Sequence, residues 1–508
     1  MMPVRRFLQA FVLPATLWLT GCQQVAPAAD ELRVGLARAP MTLDPRYATD
    51  AASHRVQELL HRGLVRLDAH FRPVPDAAES WAHPDALTWR FTLRRGLRFH
   101  DGKAVTSRDA AATLRAILTP GLASPLRASL SAIAGIETPD ARTLVLRLSR
   151  PDASLLTRLS LGILPARIAA RPQQARRIIG CGPCRLVSWN ERGLLLERAD
   201  DGSRAAGSRF HRFRFIIVRD PVTRALKLAR GELDFTENDL PPHLLPFLKR
   251  QPNLRLVTRP STTFAYIGFN LRDPLLKDVR VRRALALALD RKKLAKALFS
   301  GLPTLAETVL APGHWAAASL PATPYDPTRA ERLLDAAGLH RGANGVRFSL
   351  TYRTSTDPAR LRMAVAVADM WRRIGVLAKV ESLEWGGFYA RIKRGDFQVY
   401  SLSWVGIVDP DIYRWILHSS MWPPRGANRG RYANPRVDAW LDAALATEDM
   451  AKRKALYASV ERQMAADQVY IPLWHEPVIA VLGRRIADFA PAPDGSLRGL
   501  LAARRSGS

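Results

Sequence analysis

Apolar positions recur along the chain with two different periods. Alternation with period two, the mark of a half-buried strand, runs through "ELRVGLA" (from Glu31), "TWRFTLRRGLRF" (from Thr88), "RTLVLRLS" (from Arg142), "FRFIIV" (from Phe213) and "FAYIGFN" (from Phe264). "CRLVSWN" and "GLLLERA" are separated by polar turn residues and predict a hairpin. Helical spacing is clearest in "VRVRRALALALDRKKLAKAL" (from Val279), which predicts one long helix. It recurs in "SRDAAATLRAIL", with Ser107 as the expected N-cap, and in "VTRALKLARGELD" after Asp220-Pro221. Further on, helices and strands alternate through "TRAERLLDAAG", "VRFSLTY", "ARLRMAVAVADMWRRIG", "VLAKVE" and "FQVYSLSW". Two helices then precede a terminal strand, "YIPLWHEPVIAVL". Mixed elements over 508 residues predict an α/β protein with two or three domains and more than one sheet.

Composition changes this picture in one respect. The 47% hydrophobic and 24% charged content is that of an ordinary globular chain, but the formal charge is +30. Such a balance points to nucleic acid, an anionic membrane or an acidic ligand, or else to arginines scattered over a solvated surface. No basic run is long, and none interleaves with aromatics as a nucleic-acid platform would, so the scattered reading is preferred and no nucleic-acid partner is expected.

The N-terminus predicts the compartment. Arg5 and Arg6 precede an apolar stretch, Phe7 to Leu19, too short to span a bilayer. It ends in Leu19-Thr20-Gly21-Cys22, which resembles a bacterial lipobox. The expectation is a signal peptide over 1–21, a lipid on Cys22, and a tether over 22–29 leading to a periplasmic, membrane-anchored lipoprotein. Removal of Arg5 and Arg6 would lower the formal net charge from +30 to +28 in the processed chain.

With Cys22 lipidated, only Cys181 and Cys184 remain, and an oxidising periplasm would let them form a disulfide. Cys181-Gly182-Pro183-Cys184 is also the dithiol motif of thioredoxins, so an exported thiol–disulfide oxidoreductase is an alternative function. That chemistry needs a helix N-terminus to lower the first thiol's pKa. The residues after Cys184 instead alternate like strands. Zinc would need a second ligand pair, and none is present. Nucleophile-elbow, zincin and phosphate-loop motifs are also absent, so neither a catalytic residue nor a cofactor is expected.

A series of phrases in fixed order resembles the family 5 extracytoplasmic solute-binding proteins, the peptide- and nickel-type binding proteins of ABC importers. It begins with Thr42-Leu43-Asp44-Pro45 and "AESW" (Ala78 to Trp81). The longest match is "WRFTLRRGLRFHDGKAVTSRD" (Trp89 to Asp109), followed by "LARGELD", "IGFN" and "KDVRVRRALALALDR" (Lys277 to Arg291). Gly180 to Cys184 stands where the family usually has "G-T-G-P-Y", which makes the motif a modified loop.

The resemblance implies a bilobed type II periplasmic-binding-protein fold with an additional third domain. Lobe I would comprise 30–66, 180–268 and 471–508, the additional domain 67–179, and lobe II 269–470. It also implies a monomer that passes a peptide or peptide-like solute to ABC permease and ATPase subunits; a sensor or chaperone role is the alternative. Family members anchor a peptide's ammonium through an Asp in "W-x-x-D-Y-x-D-P". Here Trp404 begins the phrase, Ile407 stands at the Asp position, and Asp409-Pro410 arrives one residue early. Either Asp409 or Asp411 takes the role, or the ligand lacks a free amine there. Trp404 is a candidate stacking residue or a core one, and Trp385, on a predicted helix, is a further ligand candidate for which a place in the core is the preferred reading. Asn270 and Asp44 match family positions, with a turn or hinge as the alternative to ligand contact.

Overall fold

The computed structural model describes residues 30–172, 178–199 and 210–506. The expected signal peptide, Cys22 and the tether lie outside the described residues. No described helix is long and apolar enough to cross a membrane.

Among the described residues, eleven strands form one continuous sheet. In spatial order, the first half-sheet is Cys184–Asn190, Gly193–Arg198, Arg212–Ile217, Glu31–Leu36 and Phe235–Glu237. The second is Val399–Trp404, Phe348–Ser355 and Val376–Leu383. Between them lie two long antiparallel strands, Leu254–Phe269 and Tyr470–Gly483, with Thr304–Leu305 also paired to the latter. Each half contains parallel pairs: Glu31–Leu36 beside Arg212–Ile217, and Phe348–Ser355 beside Val376–Leu383. A separate antiparallel layer, Ala78–Asp85, Thr88–Leu93, Thr143–Leu148 and Ile133–Glu137, is backed by helix Ser107–Leu118.

The two long strands serve both halves. Leu254–Val257 pairs with Gly483–Ala480 on the first side, and Phe264–Gly268 with His475–Tyr470 on the second. Midway, Pro260 faces Pro477, and the register shifts before Phe264. Neither proline carries an N–H, so the ladder is thinnest where the two halves join.

Each half has its own core. On the second side Trp371 is fully buried, and its indole N–H donates to the Leu285 carbonyl at 2.9 Å. On the first, Phe210, Phe213, Phe215 and Phe235 pack under the sheet with helix Ala51–Leu60.

Two local expectations need correction. The period beginning at Val279 forms two helices, Val279–Leu287 and Arg291–Phe299. Asp290 stops the first and caps the second by accepting from the Lys293 amide at 2.9 Å. Buried Arg291 fixes the break, donating to the carbonyls of Ala306 and Pro472 and pairing with Glu307 at 2.6 Å. Such a side-chain cap outcompetes the next helical hydrogen bond. In the helix after Thr106, Ser107 is the first helical residue. The cap is Thr106, in a reciprocal capping box with Asp109.

Gly268 gives a test of the central packing. A β-carbon there would lie 2.5 Å from Cζ of fully buried Tyr400. Gly268→Ala should destabilise the protein by about 1–3 kcal/mol, read as a lower urea midpoint with an unchanged slope.

Candidate functional site

The Cys181–Cys184 segment is a joint between two bodies. Cys184 opens a strand, so the helix required for thioredoxin-type activation is not there. Cys181 packs into the core of the four-stranded layer, whereas Cys184 packs into the core of the first half-sheet. Burial pushes both thiols up to about 12. They stand as free thiols and not as the expected disulfide, because the turn at Gly182-Pro183 sends the side chains into different cores. The glycines explain the motif. A β-carbon on Gly180 or Gly182 would collide with the backbone of Leu60, to whose carbonyl the Gly182 amide donates at 2.9 Å. The His100 amide donates to the Gly180 carbonyl at 2.8 Å, tying the four-stranded layer to the same joint.

The site suggested by position is built around the thin point of the long strands. Thr262, within the register shift, donates its amide to Pro493 at 2.9 Å and accepts from the Ile407 amide at 3.3 Å. The loop leaving Trp404 and the loop preceding the C-terminal turn therefore meet at the join between the two half-sheets. Trp404 ends its strand opposite Phe264. Its ring lies parallel to Tyr266, with centroids 6.1 Å apart, and the Arg429 guanidinium sits 4.3 Å from its centroid. Arg429 also donates to the hydroxyl oxygens of Tyr266 and Tyr389, at 3.0 and 3.1 Å. Trp385 stacks on Tyr389 at 5.5 Å and is 54% exposed, so a continuous aromatic–cation stack runs from solvent into the sheet.

Beyond Trp404 the expected anchor region divides. Ile407 is buried in the aromatic core of the second half. Asp409 is engaged with the additional layer: it accepts the Ser154 hydroxyl at 2.8 Å and that of Thr157 at 2.5 Å. Asp411 has a buried Oδ1 without a partner. Burial, reinforced by the neighbouring Asp409 charge, pushes its pKa up to about 7.

The other named residues have structural duties. Asn270 donates its side-chain amide to the Phe397 carbonyl at 3.1 Å and its backbone amide to the Gln398 carbonyl at 2.9 Å, closing the turn after the long strand. Asp44 is buried and paired with Arg46 at 2.6 Å. Among the described residues, no group of three or more metal-ligating side chains occurs.

Sequence reasoning missed the carboxyls on the first side of this join. Glu237 is 2% exposed, and neither of its oxygens has a partner. Burial pushes its pKa up to about 8, with the nearby Arg55 opposing that rise. Glu58 is pushed up to about 7, and Asp494 is also raised, in both cases chiefly by burial. Asn238, with φ +59°, fixes the adjoining turn by exchanging hydrogen bonds with Ile479 at 2.9 and 2.8 Å. Nothing in the periodicity marks this place, since it does not distinguish a buried Glu from a turn residue. Arg429, Tyr266 and Tyr389 were also missed, because their meeting depends on strand pairing.

Three comparisons with known proteins agree. Residues 72–422 match the family model described as bacterial extracellular solute-binding proteins, family 5 Middle. The chain is 28% identical over 492 residues to the glutathione-binding protein GsiB of Salmonella choleraesuis, covering 92% of this chain and 93% of that one. Among solved structures, HbpA2 from Haemophilus parasuis superposes with a TM-score of 0.84 at 23% identity, covering 94% and 99% of the two chains. The murein tripeptide binding protein MppA, in its unliganded open form, gives 0.81 at 23% identity, covering 94% and 97%. These likenesses establish the bilobed type II binding-protein fold.

Glu237 supplies a test of the electrostatics at the join. Its carboxyl holds a proton in the fold up to about pH 8 but loses it near 4.5 when unfolded. The folded state therefore binds the extra proton within that window, and stability falls as pH rises through it. Glu237→Gln should match the wild type below pH 4.5 and exceed it above pH 8, by on the order of 3 kcal/mol. Urea unfolding at both ends of the window reads the difference.

Proposed function

We propose, from the premise that this chain belongs to the bacterial extracellular solute-binding proteins, family 5, that it captures a peptide or peptide-like solute between its lobes. It then presents that solute to a membrane ABC permease driven by separate ATPase subunits. The similarity to a glutathione-binding relative supports a small, peptide-like ligand. In this reading lobe I is 30–66, 180–268 and 471–508, lobe II is 269–470, and 67–179 is an added domain resting on both. The protein acts as a monomer, and Cys22 carries the lipid that keeps it at the membrane.

The observations that carry the proposal are a partly exposed aromatic stack ending at Trp404 and, on the segment that follows it, the under-satisfied carboxyl of Asp411. Trp385 and Trp404 give the ligand flat apolar walls. Asp411 takes the amine-anchoring role that Ile407 vacates, since Asp409 is already held by Ser154 and Thr157. A ligand ammonium would complete the hydrogen bonding of Asp411 and pull its raised pKa down. Lobe closure brings the second wall into contact, so its free energy comes from contacts that exist only in the closed state. No nucleotide or cofactor is needed, because the permease's partners supply the energy.

Native mass spectrometry of the exported protein, followed by denaturation, checks this reading. The expected result is a set of short peptides released from the wild type and lost from Asp411→Asn. A single mass that is not a peptide would overturn the amine-anchored reading. Binding of a tryptic peptide pool to the stripped protein should weaken about tenfold for each pH unit below 7, because Asp411 must ionise to pair.

A further inference from the structure

A second concave surface lies away from the proline pair. It is a groove of about 1310 Å³ between the loop 94–102 of the four-stranded layer and the outer strands of lobe I. Eight arginines line it against three carboxylates. Glu197 is shared between Arg185, at 2.8 Å, and Arg212, at 3.9 Å, while Asp76 is paired with Arg62 at 2.8 Å. Four exposed arginines remain without a carboxylate partner among the described residues. Arg94 donates to the Asp76 carbonyl at 2.5 Å and Arg98 to that of Gly102 at 2.8 Å, bonds that hold the side chains without cancelling their charge. Arg66 and Arg95 make no side-chain hydrogen bond or ion pair among the described residues and are solvent-exposed.

An uncompensated guanidinium cluster around a concave surface is an anion site. Its position says which anion. Asp30 lies on the rim of the groove and accepts the His211 amide at 2.9 Å. It is also where the tether enters the fold, eight residues after Cys22. Eight residues extend at most roughly 26–29 Å, so an anchored chain holds the groove mouth within that distance of the bilayer. That reach exceeds the ~8 Å over which a charged surface acts at physiological salt, so the tether permits contact and the charge must complete it.

We infer that this arginine groove docks the protein onto anionic phospholipid headgroups, which provide phosphates of the sign the guanidinium forks accept. The contact would park the lobe I edge against the membrane beside the anchor. The inference rests on the lipoprotein reading only for the groove's proximity to a bilayer.

The test is vesicle co-flotation of the chain beginning at Gln23, which carries no lipid and keeps every described residue. Vesicles of phosphatidylcholine alone are compared with vesicles also containing phosphatidylglycerol. Binding should require phosphatidylglycerol, fall steeply with added salt, and be at least tenfold weaker in the triple variant Arg66→Glu, Arg95→Glu, Arg98→Glu. A control variant with Arg329, Arg362 and Arg436 changed to Glu, all exposed on lobe II, loses the same charge and should retain binding. Thermal unfolding checks that both variants are folded. Equal loss in the control, or no preference for phosphatidylglycerol, would overturn the inference. Binding of soluble polyglutamate but not of vesicles would also overturn it, assigning the groove to an acidic protein surface. Inorganic phosphate that competes fully at equal phosphate concentration would reduce it to a free-anion site. The mass of the processed N-terminus reports separately whether Cys22 is lipidated, so a missing anchor and a non-binding groove are distinct results.

Discussion

The fold depends on one antiparallel pair, Leu254–Phe269 against Tyr470–Gly483. Leu254–Phe269 pairs with Val399–Trp404 of the second half-sheet and Tyr470–Gly483 with Phe235–Glu237 of the first, so among the described strands this pair is what joins the two halves. The facing prolines, Pro260 and Pro477, sit midway along it. On either side the ladder resumes, with one further register shift between Ala265 and Tyr266. At the prolines two donors are absent and the backbone can bend with little loss of hydrogen bonding. Ile407 and Pro493 are bonded to Thr262 at this same point, so the segment after Trp404 and the one before the C-terminal turn are both tied to the thinnest part of the ladder.

Arginine has two roles in this chain, and both are visible in its high positive charge. Several guanidiniums are buried and act as staples between backbone segments. Arg282 donates to the carbonyls of Leu276, Lys277 and Gln468, and Arg46 to those of Ala169 and Arg171. The planar fork can bond several carbonyls at once, which an ammonium on a flexible stem does less well. The remaining arginines lie on the surface, where those around the groove at Asp30 are concentrated and under-neutralised. Thus the charge is neither wholly a compositional scatter nor a uniform patch.

The regular strands and most helices were legible in the sequence because each buries one face and its period records that burial. "FAYIGFN" reads as a strand and forms the inner part of Leu254–Phe269, though nothing in its pattern shows that the strand begins ten residues earlier. The long period after Val279 misled, since it cannot show that Asp290 will cap a second helix. The fold family was legible from ordered phrases such as Trp89 to Asp109. The site was legible only in outline. Trp404 and the displaced Asp409 could be located, but not the hydroxyls of Ser154 and Thr157 that engage Asp409 from residues far away in sequence. The cysteines show the same limit in reverse. Four letters suggested redox chemistry, yet the glycines determine the segment's shape and each thiol is absorbed into a different core.

The central claim is that two rigid lobes close over a peptide by bending at the proline pair. Small-angle X-ray scattering of the stripped protein, with and without a tryptic peptide pool, measures this most directly. The account predicts a smaller radius of gyration when peptide is bound, and a free-protein value that shifts when Pro260 and Pro477 are replaced by residues that restore the ladder. An unchanged radius in a sample shown to hold peptide would contradict it, because binding would then occur without closure.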